Sequence, residues 1–260
     1  MKDIVITCAG GSVRFSNSVK CLAHKSIYKA KNQVRCLLEW QIDTALSSKN
    51  VNNIIVVVGF LNNWIEEFIK STYPNNERIT IINNEKWSTT GSNLSMCLGL
   101  LACKNTKADS ILCVEGDLYA SNFKELIEYP STKGFRSTTN GHSTVVSNVD
   151  VLGIISKENK SFKTYFEYSR DHSVFSKIDY EKVVMLFPSG QMWEIATDKI
   201  DFDKVSKSAE MFPEKTNLEV LQLFSINSML IELTPFPLKD WINCNTISEL
   251  LKCRTLWEKK

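Results

Sequence analysis

The chain has 260 residues, of which 31 are Lys or Arg and 29 are Asp or Glu, giving a formal charge of +2. That balance excludes a polybasic nucleic-acid arm and an acidic tail, while 43% hydrophobic and 23% charged residues exclude disorder, collagen and low-complexity repeats. The longest apolar runs, such as Ile54 to Val58 and Val183 to Phe187, fall far short of the roughly 18 to 20 residues of a membrane-spanning helix. Met1-Lys2-Asp3 leads into no signal-like core, so a cytoplasmic protein is expected.

In chain order, Ile4 to Cys8 reads as a buried strand, Val34 to Leu46 as a helix and Ile54 to Val58 as a strand. Trp64 to Ile69 then reads as a helix, and Ile79 to Ile82 and Ser110 to Val114 as strands. Continuous apolar strands alternating with helices predict a parallel sheet covered on both faces, with ligands at the carboxyl ends of its strands. The loops to search are therefore Ala9-Gly10-Gly11-Ser12, Gly59-Phe60, Asn83-Asn84 and Glu115-Gly116-Asp117. Beyond Asn140 the pattern is less regular. Strands are predicted at Val151 to Ser156, Val183 to Phe187 and Met229 to Leu233, and helices at Asp201 to Met211, Thr216 to Phe224 and Thr246 to Leu256. Pro, Gly and Ser are scattered and no repeat is visible, which predicts one domain with an elaborated second half.

The eight cysteines form no C-x-x-C pair, and Cys8, Cys97 and Cys113 lie in apolar patterns, so reduced structural thiols are expected. His24, His142 and His172 have no metal-ligand or triad spacing. Chemistry must be sought elsewhere. Gly10-Gly11 follows a strand and precedes Ser12, Arg14 and Lys20; it reads either as a tight turn with two solvated cations or as a backbone cradle for phosphate. Asp117 ends a strand with Glu115 two residues before it, so its carboxylate either caps a turn or holds a hard cation such as Mg²⁺. Trp87 to Ser95 is a hydroxyl-rich turn opening a helix, which caps that helix and also offers donors to a base or phosphate. Asn243 and Asn245 precede a C-terminal helix that Asn245 or Thr246 would cap.

The order of these motifs resembles that of nucleotidyltransferases with a glycosyltransferase-A-like fold, in particular cytidylyltransferases similar to the choline-phosphate enzymes. Ile4 through Arg14 resembles the family's strand, Gly-rich loop and arginine, and Val19-Lys20-Cys21-Leu22 stands where Pro-Lys-x-Leu is usual. Ile54 to Gly59 resembles its second strand, Asn84 through Ser95 its Asn-x-x-aromatic segment, and Leu112 to Leu118 its metal-aspartate strand. Trp241 to Leu250 is similar to the closing Glu-x-Asp-Thr segment, with Asn243 and Asn245 in place of acids. The match is weakest between about residues 125 and 180.

The resemblance implies an α/β fold with a Rossmann-like, mixed, mostly parallel sheet flanked by helices, in a single domain over 1-260. Its nucleotide-binding half would be 1-125 and its acceptor-binding half 126-260. It also implies Mg²⁺-dependent transfer of CMP from CTP, or another triphosphate, to a small phosphorylated or phosphonate acceptor, serving surface polysaccharide or lipid decoration. Lys20, Arg14 and Asp117 would be catalytic, and Asp117, Asn245 and Asn243 would hold the metal. Ala9, Gly10, Gly11, Ser12, Asn84, Thr90, Gly91, Ser92 and Glu115 would bind the nucleotide, and Trp193 would offer its face to a quaternary ammonium unless it is core. Nucleic acid and a membrane span are not expected. The alternatives are a glycosyltransferase of the same fold, with Glu115-Gly116-Asp117 as its metal motif, and an inactive nucleotide-binding domain.

Overall fold

The computed structural model describes residues 1–139, 152–158, 161–163, 183–188, 192–215, 217 and 236–257. The first half runs β1 (Lys2–Cys8), α1 (Val13–Val19), α2 (Leu37–Leu46), β2 (Val51–Val58), α3 (Asn62–Thr72), β3 (Ile79–Asn83), α4 (Ser92–Ala102) and β4 (Ser110–Glu115). Next come β5 (Leu118–Tyr119), α5 (Phe123–Glu128), β6 (Phe135–Thr139), β7 (Leu152–Glu158), β8 (Ser161–Lys163) and β9 (Val183–Pro188). The chain closes with β10 (Met192–Ala196), α6 (Phe202–Met211), β11 (Phe236–Pro237), β12 (Ile242–Asn243) and α7 (Ile247–Trp257).

A seven-stranded sheet in the order β11-β6-β10-β4-β1-β2-β3 forms the centre. Strands β4, β1, β2 and β3 are mutually parallel, whereas β10 runs antiparallel to both β4 and β6. The strands form here because runs such as Ile54 to Val58 are β-branched and buried. Alternation then divides the side chains between two faces. Ile4, Ile6, Val56 and Val114 pack with Leu38 and Ile42 of α2, while Val5, Val57 and Cys113 pack with Met96 and Leu100 of α4. The register sets Cys8 beside Val58, Thr7 beside Glu115 and Val58 beside Asn83, so the loops leaving these strands emerge at one edge.

Several boundaries differ from expectation. Helices α1 and α5 and strand β6 are short and carry too few residues for a clear apolar period. The strand expected at Val183 to Phe187 forms as β9, but it pairs with β7 in a separate three-stranded sheet. Met229 to Leu233 lies outside the described residues, as does Thr216 to Phe224 except Asn217. Among the described residues no helix is long and apolar enough to cross a membrane.

Candidate functional site

At the carboxyl edge of β1, β3 and β4 lies a cleft of about 270 Å³, lined by Ala9, Gly10, Gly11, Lys25, Thr90 and Asp117 among others. Gly10 is open to it, since a Cβ there would meet nothing within 4 Å. The left-handed residue of the loop is Ser12, at φ 49°, which begins α1 and is itself buried.

Asp117 owes its position to Gly116. A Cβ at Gly116 would lie 2.2 Å from the Cys8 sulfur, so only glycine lets this turn close on β1, where its N–H donates to the Thr7 carbonyl at 2.9 Å. Beyond the turn, β5 pairs with β12, and the Cys244 N–H donates to the Asp117 carbonyl at 2.7 Å. The C-terminal segment is thereby brought to the cleft. Asn245 donates its amide to the Asn243 Oδ1 at 2.7 Å, which turns its own Oδ1 toward Arg14 Nη2 at 2.9 Å and Lys25 Nζ at 3.2 Å. It does not cap α7 with its side chain. That task falls to Thr246 and Glu249, whose carboxylate accepts from the Asn245 and Thr246 N–H groups at 2.8 Å each.

Among the described residues, Lys25 is the lysine that lines the cleft. Its ammonium pairs with Asp117 and reaches Asn245, and the pair is largely withdrawn from solvent. Behind it, His24 is buried, with Nε2 on the Cys8 carbonyl at 2.9 Å and Nδ1 accepting from the Ser26 N–H at 3.3 Å. Burial pushes its pKa down to about 4, against the weaker opposing pull of the Cys8 carbonyl, so the ring stays neutral. Lys20, expected in this role, is instead exposed at the left-handed C-cap of α1 (φ 57°) and does not line the cleft. The sequence offers both lysines in the same setting, since His24-Lys25-Ser26-Ile27 repeats the Lys-x-apolar pattern of Lys20-Cys21-Leu22, and the pattern alone does not choose between them.

The turn before α4 lines the cleft, yet most of its polar groups are engaged. Asn84, 1% exposed, accepts from the Lys86 N–H and donates to Ser95 Oγ, each at 3.0 Å. Thr90 Oγ1 donates to the Lys86 carbonyl at 2.8 Å. The Gly91 N–H donates to the Pro213 carbonyl at 2.8 Å and the Asn93 N–H to that of Lys215 at 3.0 Å. Ser92 Oγ accepts from the Asn217 N–H at 2.8 Å. The helix start is therefore held by Pro213, Lys215 and Asn217 of the same chain, which corrects the expectation that the Gly91 N–H is offered to a base, while Ser92 keeps its hydroxyl proton at the cleft. Asn217 goes on to donate to Glu115 Oε1 at 2.7 Å, a partner that sequence spacing does not reveal.

Trp193 is a further correction. It is 1% exposed on β10, between β4 and β6, with its ring 6.0 Å from Phe135 in the core. No ligand can lie on it. The tryptophan at the cleft is Trp87, half-buried and 5.2 Å from the Phe60 ring.

Among the described residues there is no cluster of three His, Cys, Asp or Glu that could hold a metal by protein ligands alone. The Asp117 and Asn245 oxygens nevertheless converge on one cation, the Lys25 ammonium. One carboxylate and one amide oxygen fit a hard divalent ion that keeps waters or phosphate oxygens in its remaining positions. Asn243 orients Asn245 within that pair, with its own Oδ1 occupied by the Asn245 amide.

A family model described as "Domain of unknown function (DUF6564)" matches residues 21–257. A search of curated proteins gives no match. Among solved structures, the CTP:phosphocholine cytidylyltransferase of Streptococcus pneumoniae (LicC) is 14% identical, with a TM-score of 0.65 over 98% of this chain and 99% of that one. The inositol-1-phosphate CTP transferase of T. maritima is also 14% identical, with a TM-score of 0.67 over 100% and 96%. A nucleotidyl transferase from Methanothermobacter thermautotroptrophicus is 16% identical, with a TM-score of 0.61 over 100% and 99%. The chain thus has the nucleotidyltransferase fold expected from its motifs.

Proposed function

We propose that this chain, which belongs to the DUF6564 family, is a Mg²⁺-dependent nucleotidyltransferase that joins CMP from CTP to a small phosphorylated or phosphonate acceptor and releases pyrophosphate. The observation that carries this reading is the meeting of Lys25, Arg14, Asp117 and Asn245 beside the Gly10-Gly11 loop, at the strand ends of a nucleotidyltransferase fold. Similarity to the Streptococcus pneumoniae and T. maritima enzymes supports cytidine as the base and a phosphomonoester as the acceptor class.

A phosphomonoester has its second pKa near about 6, so the attacking oxygen is already anionic at neutral pH and no general base is needed. His24, neutral and bonded on both ring nitrogens, agrees with that economy. Catalysis then rests on positioning and on charge neutralisation as pyrophosphate departs in line. Lys25 moves from Asp117 to an α-phosphate oxygen, and Arg14 with the Gly10 and Gly11 amides cradles the outer phosphates. Asp117 and Asn245 would hold Mg²⁺ arriving with the triphosphate, which supplies positive charge at the α-phosphate. The product, a CDP-linked small molecule, suits surface polysaccharide or lipid decoration.

Pyrophosphate release from each of four triphosphates against a panel of phosphocholine, polyol phosphates, sugar phosphates and a phosphonate tests the reading. Acceptor-dependent release with CTP is expected. Equal thermal-shift responses to all four triphosphates would remove the cytidylyl assignment, and no release with any pair would remove the transferase.

A further inference from the structure

All eight cysteines are unpaired and seven are buried, with Cys21 exposed. Two of the buried ones stand apart: Cys244 Sγ lies 3.0 Å from Cys253 Sγ, nearer than an ordinary non-bonded sulfur contact. A disulfide spans about 2.05 Å, so about 1 Å of approach joins them. Their positions matter for the cleft. Cys244 sits between Asn243 and Asn245, with its N–H on the Asp117 carbonyl, while Cys253 is on the buried face of α7.

We propose that Cys244 and Cys253 are a covalent modification site, joined as an intramolecular disulfide by a small disulfide oxidant. When α7 opens locally, the Cys253 sulfur attacks one sulfur of oxidised glutathione and one glutathione leaves as its thiol. Cys244 then attacks the mixed disulfide and the second glutathione leaves, so the two cysteines lose two hydrogens and two electrons that end on two glutathione thiols. Closing the bond draws Cys244 toward α7 and with it the neighbouring Asn245, loosening the meeting of Asn245 with Asp117 and Lys25. This effect on the cleft rests on the function proposed above; the bond itself does not.

The test uses the whole chain carrying Cys21→Ser, which removes the exposed thiol, incubated with oxidised glutathione. Intact mass and peptide mapping report the bond, and calorimetry reports MgCTP affinity before oxidation, after it, and after re-reduction. We expect a product two hydrogens lighter with Cys244 linked to Cys253, and a several-fold loss of MgCTP affinity that a dithiol reverses. Cys253→Ser and Cys253→Ala, whichever folds, should abolish both changes. A missing linkage, or one joining other cysteines, overturns the site; the correct linkage with unchanged affinity overturns its effect on the cleft. If the reduced protein binds no MgCTP, the proposed function fails, while the mapped bond stands on its own.

Discussion

Lys25 reaches the cleft because its neighbour cannot move. His24 is buried and bonded on both ring nitrogens, which fixes the backbone from which the next side chain turns to Asp117. Lys20, five residues earlier, ends a short helix in solvent. The two lysines therefore separate by experiment. Lys25→Ala should lower acceptor-dependent pyrophosphate release by two to three orders of magnitude, as loss of one transition-state contact costs about 2.7 to 4 kcal/mol in comparable sites. Lys20→Ala should stay within about twofold, being outside the cleft. Equal losses in both variants would return Lys20 to the site.

The elements around α4 are held by backbone contacts that side-chain patterns do not report. The 213–215 carbonyls press on Gly91 so closely that a Cβ there would lie 2.0 Å from the Lys215 oxygen and 2.4 Å from that of Glu214. Neither contact can be relieved by a side-chain rotation. Gly91→Ala must push residues 213–215 outward, breaking the Gly91 to Pro213 bond and slackening the Asn217 to Glu115 contact. We expect about 1 to 3 kcal/mol of destabilisation, in the range of other overpacked sites, read as a lower denaturant midpoint. An unchanged midpoint would mean that the segment does not rest on the turn.

At the scale of the molecule, a buried charge network ties the end of the sheet remote from the cleft. Glu194 on β10, fully buried, pairs with Lys2 of β1 at 3.1 Å and with Arg136 of β6, and accepts from Ser110 of β4 at 2.6 Å and from the Thr132 N–H at 3.0 Å. Burial holds the Lys2 pKa below its ordinary value despite the attraction of Glu194. Arg136 also lies over the Tyr129 ring, 4.7 Å from its centroid. Glu194→Gln keeps the shape but strands two buried cations, which should cost about 3 to 5 kcal/mol, as breaking buried ion pairs does elsewhere. Chemical denaturation would measure it, and the folded fraction should keep its affinity for nucleotide. A loss below about 1 kcal/mol would mean that water reaches the network.

The parallel centre of the fold was legible in the sequence because buried β-branched runs at Ile4 to Cys8 and Ile54 to Val58, alternating with helical patterns, have few other ways to satisfy their backbones. The loops worth searching followed from it, and with them Gly10, Gly11, Arg14 and Asp117, since strand ends fix where loops gather. Which lysine joins them was decided only in three dimensions, by the pinning of His24. Trp193 read either as an acceptor platform or as core because a tryptophan carries no mark of burial in the sequence; the antiparallel insertion of β10 between β4 and β6 made it core and its neighbour Glu194 the hub of an ion network. Asn217 met Glu115, and Cys244 met Cys253, through folding that local spacing does not encode. Sequence alone thus determined the parallel centre of the sheet and the edge where its loops gather, through short-range periodicity, while long-range packing added the antiparallel strand and chose the side chains that stand at that edge.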